Sequence, residues 1–368
     1  MLNGMDSVSH WGLLLRVDWN SLFAVGGVCG CNVFSNTNEI FMRVIGYIQG
    51  LAGASYHRVV APLMLMQDVD VYVTNNLDEK DFEKGCDVVI YNRTLNPEAL
   101  SKLLKLKAKY GFRIVCDIDD YWILDMHHIL YDNYIETGFA AMQVEQIKIA
   151  DIVTVTNVRL ADKVKEYNKN VHVLPNAIPK SGQFNIERTP SRHPRLFWQG
   201  SPTHKQDIKL LAPVSAEIYH TLKQCKMVMA GYNGDWEWQS MVRSYTASKM
   251  LSLMLIEAQH VTNYYEAYKE ADICLVPLIE SNFNQYKSNL KVLEAANLGL
   301  PVIASKVHPY MDLPVLYATN SKQWITHIKR LVESKKAQKE CGLELKSYCD
   351  RHFNFDKINK QRQQIFES

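Results

Sequence analysis

The sequence predicts an α/β protein of two domains, for two reasons. The chain has 368 residues, which exceeds the length at which one core usually keeps growing. From Met42 onward, short apolar runs alternate with helical patterns, as is typical of parallel sheets covered by helices. A polar segment with three prolines, residues 179–194, interrupts the alternation, which then restarts. We therefore expect two Rossmann-like domains facing across a cleft, at 42–178 and 195–348, joined by a linker.

The first 41 residues are expected to be an extension of unknown role. Their apolar run, Leu13–Val28, is broken by Arg16 and Asp18, and no basic segment precedes it. A cleaved signal peptide therefore fits poorly. We expect the extension to have a packing role of its own.

The N-terminal domain is expected to form six strands. The candidate strands are Val44–Ile48, Val69–Val73, Val88–Tyr91, Ile114–Asp117, Ile152–Thr156 and Val171–Leu174. Helical periodicity marks three segments between them, which are Ala61–Met66, Pro97–Tyr110 and Leu160–Tyr167. The first strand leads into a glycine-bearing turn, Gly50–Ser55.

The C-terminal domain repeats this pattern. Its candidate strands are Arg195–Trp198, Met227–Ala230, Met254–Ile256, Ile273–Val276, Val302–Ala304 and Leu316–Tyr317. Its candidate helices are Ile208–Leu222, Asn263–Ala271, Ser288–Leu298 and Ser321–Ser334, and a last helix at 349–368 could cross back to the N-terminal domain. No G-x-G-x-x-G follows either first strand, which argues against a nicotinamide-dependent dehydrogenase.

The composition excludes few functional classes, but it contains no sign of a membrane-spanning segment. The net charge is +2 and the sequence pI is about 8.0, too mild to indicate nucleic acid or an anionic surface alone. No stretch reaches the ~20 apolar residues of a membrane span. Cysteines lie scattered, and Cys29 and Cys31 lack a second cluster at zinc-site spacing. We expect a cytoplasmic protein without disulfides.

The most informative segment is Ala271–Ser305, which is predicted as strand, loop, helix, glycine turn and strand. Lys287, Ser288 and Asn289 open the helix, where free N–H groups, the helix dipole and a lysine suit a diphosphate. Glu294 follows about two turns later, ~10 Å along the axis, and suits the hydroxyls of a ribose. The spacing alone is equally compatible with Ser288 as an N-cap and Glu294 as a solvated charge.

This segment resembles the donor-binding motif of GT-B glycosyltransferases, in particular family 4, the glycosyl transferases group 1. Asn284-Gln-Tyr-Lys287-Ser288 matches the Asn-x-x-Lys-Ser variant of the motif. Further matching pieces extend the resemblance from Met42 to Phe355, namely Gly53–Pro62, Asp117–Asp120, Val173–Asn176 and Phe197–Asp207. The chain departs from the commonest Glu-x7-Glu form because Tyr286 stands at the first Glu, which usually contacts the transferred sugar. The sugar and the retaining or inverting outcome therefore stay open.

The resemblance implies a glycosyltransferase that uses a nucleoside diphosphate sugar, a UDP-sugar, as co-substrate without a cofactor. Gly53 would let the backbone approach the diphosphate, and Arg58, Lys205 and Lys287 would neutralise it in place of a metal. The other implied donor contacts are Gly200, His204, Asn284, Ser288, Asn289 and Glu294. Arg58 could instead pair with a carboxylate of its own domain, and His204 could cap the following helix.

The resemblance also places the acceptor on the N-terminal domain. Asp119 and Asp120 stand where an acceptor hydroxyl would enter, so one of them could orient or deprotonate it, with His57 as a third catalytic candidate. We interpret these carboxylates as metal-free.

Two classes of acceptor are open, a cell-surface or lipid-linked glycan and a hydroxymethylated base of viral DNA. The Lys102–Lys109 helix is either a solvated face or a contact for anionic lipid or DNA. Two other functions share the fold, a nucleotide-sugar 2-epimerase and a catalytically degenerate GT-B binding subunit.

Overall fold

The computed structural model describes residues 42–222, 225–245 and 252–368. The predicted extension, with Cys29 and Cys31, lies outside the described residues.

All six strands predicted for the N-terminal domain are present. They are β1 Arg43–Tyr47, β2 Asp70–Thr74, β3 Val88–Asn92, β4 Arg113–Ile118, β5 Ile152–Val155 and β6 Val171–Val173. They form one sheet in the order β2-β1-β3-β4-β5-β6, and every pair is parallel. The central strands β3, β4 and β5 are almost fully buried because helices cover both faces of the sheet.

The helices of this domain are α1 Gly53–Ser55, α2 Ala61–Met64, α3 Pro97–Tyr110, α4 Tyr131–Glu136, α5 Phe139–Ile149 and α6 Val158–Val164. A π-helical turn, Tyr56–Val60, joins α1 to α2, so helical structure starts earlier than the predicted Ala61. It starts at Gly53 because Ser55 Oγ accepts the Ala52 N–H at 3.0 Å and holds the first turn. Helices with π-turns often bear functional residues, and His57 and Arg58 lie on this one.

The C-terminal domain also has six parallel strands. They are β7 Arg195–Gln199, β8 Lys226–Tyr232, β9 Ser252–Glu257, β10 Ile273–Val276, β11 Val302–Ser305 and β12 Leu316–Ala318, in the order β12-β11-β10-β7-β8-β9. The helices are α7 Lys205–Ile208, α8 Ala212–Thr221, α9 Trp236–Tyr245, α10 Leu290–Asn297, α11 Ser321–Glu333, α12 Lys335–His352 and α13 Phe355–Glu367. Both domains therefore have the predicted α/β architecture.

Three predicted helices differ in detail. The expected Ile208–Leu222 helix is divided, and α8 begins at Ala212 because Pro213 lacks the N–H that would continue the preceding turn. The expected Asn263–Ala271 helix is a 3₁₀ helix, Tyr264–Glu270. The donor-motif helix α10 begins at Leu290, and Lys287 before it has extended backbone angles.

The chain returns to the N-terminal domain at its end. Asn359 on α13 donates its side-chain N–H to the Pro62 carbonyl at 2.9 Å. The Phe366 carbonyl accepts a hydrogen bond from Arg113 at the start of β4. The last helix is therefore held against the domain that the chain left at the linker.

Candidate active site

The candidate site residues lie in loops that follow strands, where parallel sheets place ligand sites. In the N-terminal domain these loops follow β1, β3 and β4. In the C-terminal domain they follow β7 and β10, the second of which leads into α10. Hydrogen bonds join loops of the two domains, so the facing edges are in direct contact.

Lysines gather at the start of α10. Lys287 Nζ lies 4.0 Å from Asp120 Oδ1 and 4.6 Å from the centre of the Phe283 ring. Lys291, one turn later, lies over the Trp198 ring at 5.5 Å and forms no hydrogen bond or ion pair with any described residue. Burial, opposed by Asp207 and reinforced by Lys287, lowers the pKa of Lys291 to about 8. An anion at this position would relieve the repulsion between the two ammonium groups.

Lys291 was not among the predicted donor contacts, although the sequence contained a signal for it. Lys287 and Lys291 are four residues apart, and residues at this spacing share one face of a helix. The first N–H groups of α10 have no acceptor within the helix, so they add to the positive field at the same end.

The predicted residues around this helix start have mixed outcomes. Ser288 does not cap the helix, because its Oγ accepts a hydrogen bond from Asn176 Nδ2 at 2.9 Å. Asn289 occupies the N-cap position without a side-chain capping bond, which leaves its amide group uncommitted to the helix. Asn284 is buried and donates to the Ile279 carbonyl at 3.0 Å. This hydrogen bond closes the loop after β10, and the predicted donor contact of Asn284 stays a prediction.

The glycines predicted at the site differ in what surrounds them. A Cβ on Gly53 would meet no heavy atom within 4 Å, so the space for a close ligand is open there. A Cβ on Gly200 would lie 2.6 Å from the Trp198 ring. Packing against Trp198 therefore explains the glycine at 200 without a ligand.

Lys205 begins α7 with its charge already compensated. Its Nζ donates to Glu237 Oε2 on α9 at 3.1 Å. A contact between Lys205 and a diphosphate would require this pair to separate. Lys287 and Lys291 form no ion pair with a described residue of their own domain, so a diphosphate could contact them without separating such a pair.

Arg58 is the first correction among the charged residues. Its guanidinium is 1% exposed and contacts both Asp117 oxygens, the Leu174 carbonyl and Asn176 Oδ1, all between 2.8 and 3.2 Å. The structure therefore shows the alternative to a donor contact, in which Arg58 pairs with Asp117, a carboxylate of its own domain. With every nitrogen engaged inside the protein, Arg58 cannot contact a donor in this arrangement.

Glu294 is the second correction. Its carboxylate is neither solvated nor free for a ribose, because Glu294 is 4% exposed and accepts hydrogen bonds from two tyrosines. Tyr264 donates to Oε1, and Tyr268 donates to Oε2 at 2.7 Å. Burial raises the pKa of Glu294, and the two tyrosine hydroxyls oppose that change.

His57 is the third correction, and it follows from the same network. His57 Nε2 lies 2.8 Å from the Tyr264 hydroxyl. The Tyr264 hydroxyl donates its hydrogen bond to Glu294, so its oxygen accepts the hydrogen bond from His57 Nε2–H. Burial, followed by the charge of Arg58, lowers the pKa of His57 to about 4. His57 therefore links the two domains as a neutral hydrogen-bond donor through Nε2.

Asp119 and Asp120 face Arg93, a residue that sequence reasoning missed. Arg93 has φ of 65°, a rare conformation for a residue with a side chain. It donates to both Asp119 oxygens at 2.7 and 2.8 Å and to Asp120 Oδ2 at 2.8 Å. Burial opposes ionisation of Asp119, but Arg93 holds its pKa at about 2. Asp119 is thus a weak base, whereas Asp120 also faces Lys287 of the other domain.

The loop before α10 inserts into the N-terminal domain. Phe283 and Tyr286 belong to the same buried cluster as the N-terminal core, and the Tyr286 ring lies 4.3 Å from that of Tyr121. Asn157 Nδ2 donates to the Tyr286 carbonyl at 2.8 Å, and Asp125 accepts the Phe283 N–H at 3.1 Å. Tyr286 therefore packs between the two domains, which accounts for an aromatic residue at the position of the usual first Glu.

Two of the four lysines on the basic helix α3 are paired with carboxylates. Lys107 pairs with Asp151, and Lys109 pairs with Glu79. Lys102 makes a long hydrogen bond of 3.5 Å to Asn76. These partners favour the solvated-face interpretation over a phosphate-binding surface.

The described residues show neither a metal-ligand cluster nor a membrane-spanning helix. No three His, Cys, Asp or Glu side chains are grouped there as metal ligands would be. Within the same residues, no helix combines the length and apolarity needed to cross a bilayer.

Residues 193–334 match the family model described as glycosyl transferases group 1. The C-terminal domain is therefore similar in sequence to the glycosyl transferases group 1. This match covers the loop after β7, the lysine pair and α10. No curated protein sequence matches the chain.

Solved structures extend the likeness to both domains. HepE of Anabaena, in complex with UDP and glucose, is 14% identical with a TM-score of 0.60, covering 89% of this chain and all of HepE. A variant of S. aureus TarM, in complex with UDP and sugar ligands, is 14% identical with a TM-score of 0.56. It covers 76% of this chain, which spans 55% of TarM. The chain has the GT-B fold that these likenesses share.

Proposed function

We propose that this protein transfers a sugar from a nucleoside diphosphate donor to an acceptor hydroxyl. The observation that carries the proposal is the pair Lys287 and Lys291 at the start of α10. Lys291 has no anionic partner among the described residues, and the pair lies inside the group 1 glycosyltransferase domain. A diphosphate would supply the missing negative charge, with the N–H groups of α10 as further donors.

UDP is the proposed nucleotide. HepE and TarM, which share the fold, were both solved with UDP. The two lysines would stabilise the charge that develops on the leaving diphosphate, without a metal ion. Asp120 is the proposed acceptor-side carboxylate. It lies between Arg93 and Lys287, where it could orient the attacking hydroxyl next to the diphosphate.

A glycan is the proposed acceptor. HepE was solved with glucose and TarM with saccharide ligands, and two of the four lysines on α3 are already paired with carboxylates. Modified DNA stays an untested prediction.

An epimerase is the second candidate, because a putative UDP-N-acetylglucosamine 2-epimerase from Listeria monocytogenes shares the fold. That structure has a TM-score of 0.52 and 9% identity, and the match covers 88% of this chain. The two functions differ in their need for an acceptor, since an epimerase converts the donor sugar alone.

The test is a panel of nucleotide sugars with and without saccharide acceptors. A donor at 100 times its Kd should stabilise the fold by about 2.7 kcal/mol in thermal unfolding. UDP release that depends on an acceptor supports the transferase. A changed sugar still attached to UDP, without acceptor, supports the epimerase. Donor binding without either product supports a degenerate binding subunit.

A further inference from the structure

His204 and Asp207 form a hydrogen-bonded pair in the loop after β7. His204 Nδ1 lies 2.7 Å from Asp207 Oδ2. The other carboxylate oxygen, Oδ1, accepts the backbone N–H of Ile279 at 2.9 Å. Asp207 is 4% exposed, so both oxygens find their partners inside the protein. One carboxylate therefore fixes the histidine ring to the loop that leads into α10.

This arrangement decides which ring nitrogen carries the proton. The carboxylate accepts, so the proton of the pair lies on Nδ1. Burial, followed by the charge of Lys291, lowers the pKa of His204 to about 4. The ring is therefore neutral at neutral pH, and Nε2 carries a lone pair. Among the described residues, none forms a hydrogen bond to Nε2.

The chemistry of Nε2 limits what can bind to it. Lys291 lies over the Trp198 ring at 5.5 Å, and a Cβ on Gly200 would lie 2.6 Å from that ring and 3.4 Å from His204 Cδ2, so the histidine ring is close to the proposed diphosphate site. A diphosphate offers only acceptor oxygens, which cannot donate to a lone pair. Hydrogen-bond donors are carried by the ribose and uracil on one side of the diphosphate and by the sugar on the other, and only the sugar distinguishes a UDP-sugar from UDP.

We propose that Asp207 holds His204 as the Nδ1–H tautomer, so that Nε2 accepts a hydrogen bond from the donor's sugar. This inference rests on the proposed nucleotide-sugar site. His204 is then a sugar-binding residue, and Asp207 is a positioning residue that acts through it. The group recognised is a hydroxyl or an amide N–H on the transferred sugar.

The variant Asp207→Asn tests the tautomer directly. The Asn oxygen must keep accepting the Ile279 N–H, which turns its NH₂ group toward His204 Nδ1. The ring then carries its proton on Nε2, and the acceptor becomes a donor. Long-range proton–nitrogen NMR on histidine-labelled full-length protein should show Nδ1–H in the wild type and Nε2–H in the variant. An Nε2–H signal for His204 in the wild type would overturn the inference.

Binding supplies the second readout. The probes are UDP and the UDP-sugar that the wild type binds most tightly, titrated by calorimetry. Asp207→Asn should weaken UDP-sugar binding roughly tenfold more than it changes UDP binding, because two donors would then face each other only in the UDP-sugar complex. Equal losses for both ligands, or no loss for either, would contradict a sugar contact. Wild-type protein that binds neither ligand would instead remove the proposed function on which the contact rests.

Discussion

At the scale of single residues, burial and partners separate the charged groups that hold the fold from those available to a ligand. Arg58 and Glu294 are both within a few per cent of complete burial, and each has its polar atoms satisfied by protein. Lys291 lies over the face of Trp198, and its ammonium group forms no hydrogen bond or ion pair with a described residue. We therefore assign structural roles to the first two and a ligand role to Lys291.

Arg58→Gln should destabilise the protein. It would leave Asp117, which is fully buried, without its cation, and breaking a buried pair costs about 3–5 kcal/mol. The free energy of unfolding in urea measures the loss. Arg351→Gln, at an exposed position on α12, is the matched control and should change stability by less than about 0.5 kcal/mol. Normal stability with weakened UDP binding would restore Arg58 to the donor site.

The affinity for UDP should fall as pH rises through about 8, because the free protein then loses the charge of Lys291. The sign follows from the ligand, since an anion binds the protonated lysine more tightly than the neutral one. Calorimetric titrations on either side of that pH measure the change. Lys291→Met should bind more weakly at low pH and show a flatter profile. An equally steep profile in this variant would place the titrating group elsewhere.

At the scale of elements, the loop before α10 joins the two domains. Tyr286 and Phe283 lie in the N-terminal core, and the neighbouring Ser288 accepts a hydrogen bond from Asn176. Donor-binding residues on α10 are therefore positioned by contacts on both sides of the interface. The loop couples the stability of the interface to the geometry of the site.

Tyr286→Ala should remove much of that coupling. Deleting a buried aromatic side chain costs about 3–5 kcal/mol, and here the cavity would open between the domains. Urea denaturation measures the stability, and limited proteolysis reports domain opening. Tyr286→Phe keeps the ring against Tyr121 and should behave nearly as the wild type. A Tyr286→Ala variant as stable and protease-resistant as Tyr286→Phe would show that the ring does not hold the interface.

Local sequence predicted the strands well because each is a short run of apolar, often β-branched residues between turns, as in Val88–Tyr91. It predicted the start of α8 poorly, since Pro213 within an apolar helical pattern was not treated as a boundary. The site was predicted in part. Tyr264 reaches Glu294 from another loop, and Leu174 reaches Arg58 across the sheet, so no spacing along the chain could reveal either contact.

At the scale of the whole molecule, charged side chains of both domains take the place of a metal ion in the proposed mechanism. Lys287 and Lys291 stand on one side, and Asp120, held by Arg93, stands on the other. Helix α13 returns to the first domain, so the linker is not the only connection between the halves.

Turnover should survive chelation. If the lysines and α10 stabilise the leaving diphosphate, adding EDTA should leave the rate of UDP release unchanged. The rate with a working donor and acceptor is measured before and after chelation. Loss of activity that Mn²⁺ or Mg²⁺ restores would make Asp117–Asp120 a metal-binding segment and contradict the proposed mechanism.

Titration of UDP into wild type, Lys291→Met and Lys336→Met tests the central claim most directly. Lys336 is the control because its side chain is 85% exposed on α12. Loss of a charge-assisted bond should cost Lys291→Met about 1.5–3 kcal/mol, at least about tenfold in Kd, while Lys336→Met binds as the wild type does. Equal UDP affinity in all three proteins would contradict a diphosphate site at the start of α10.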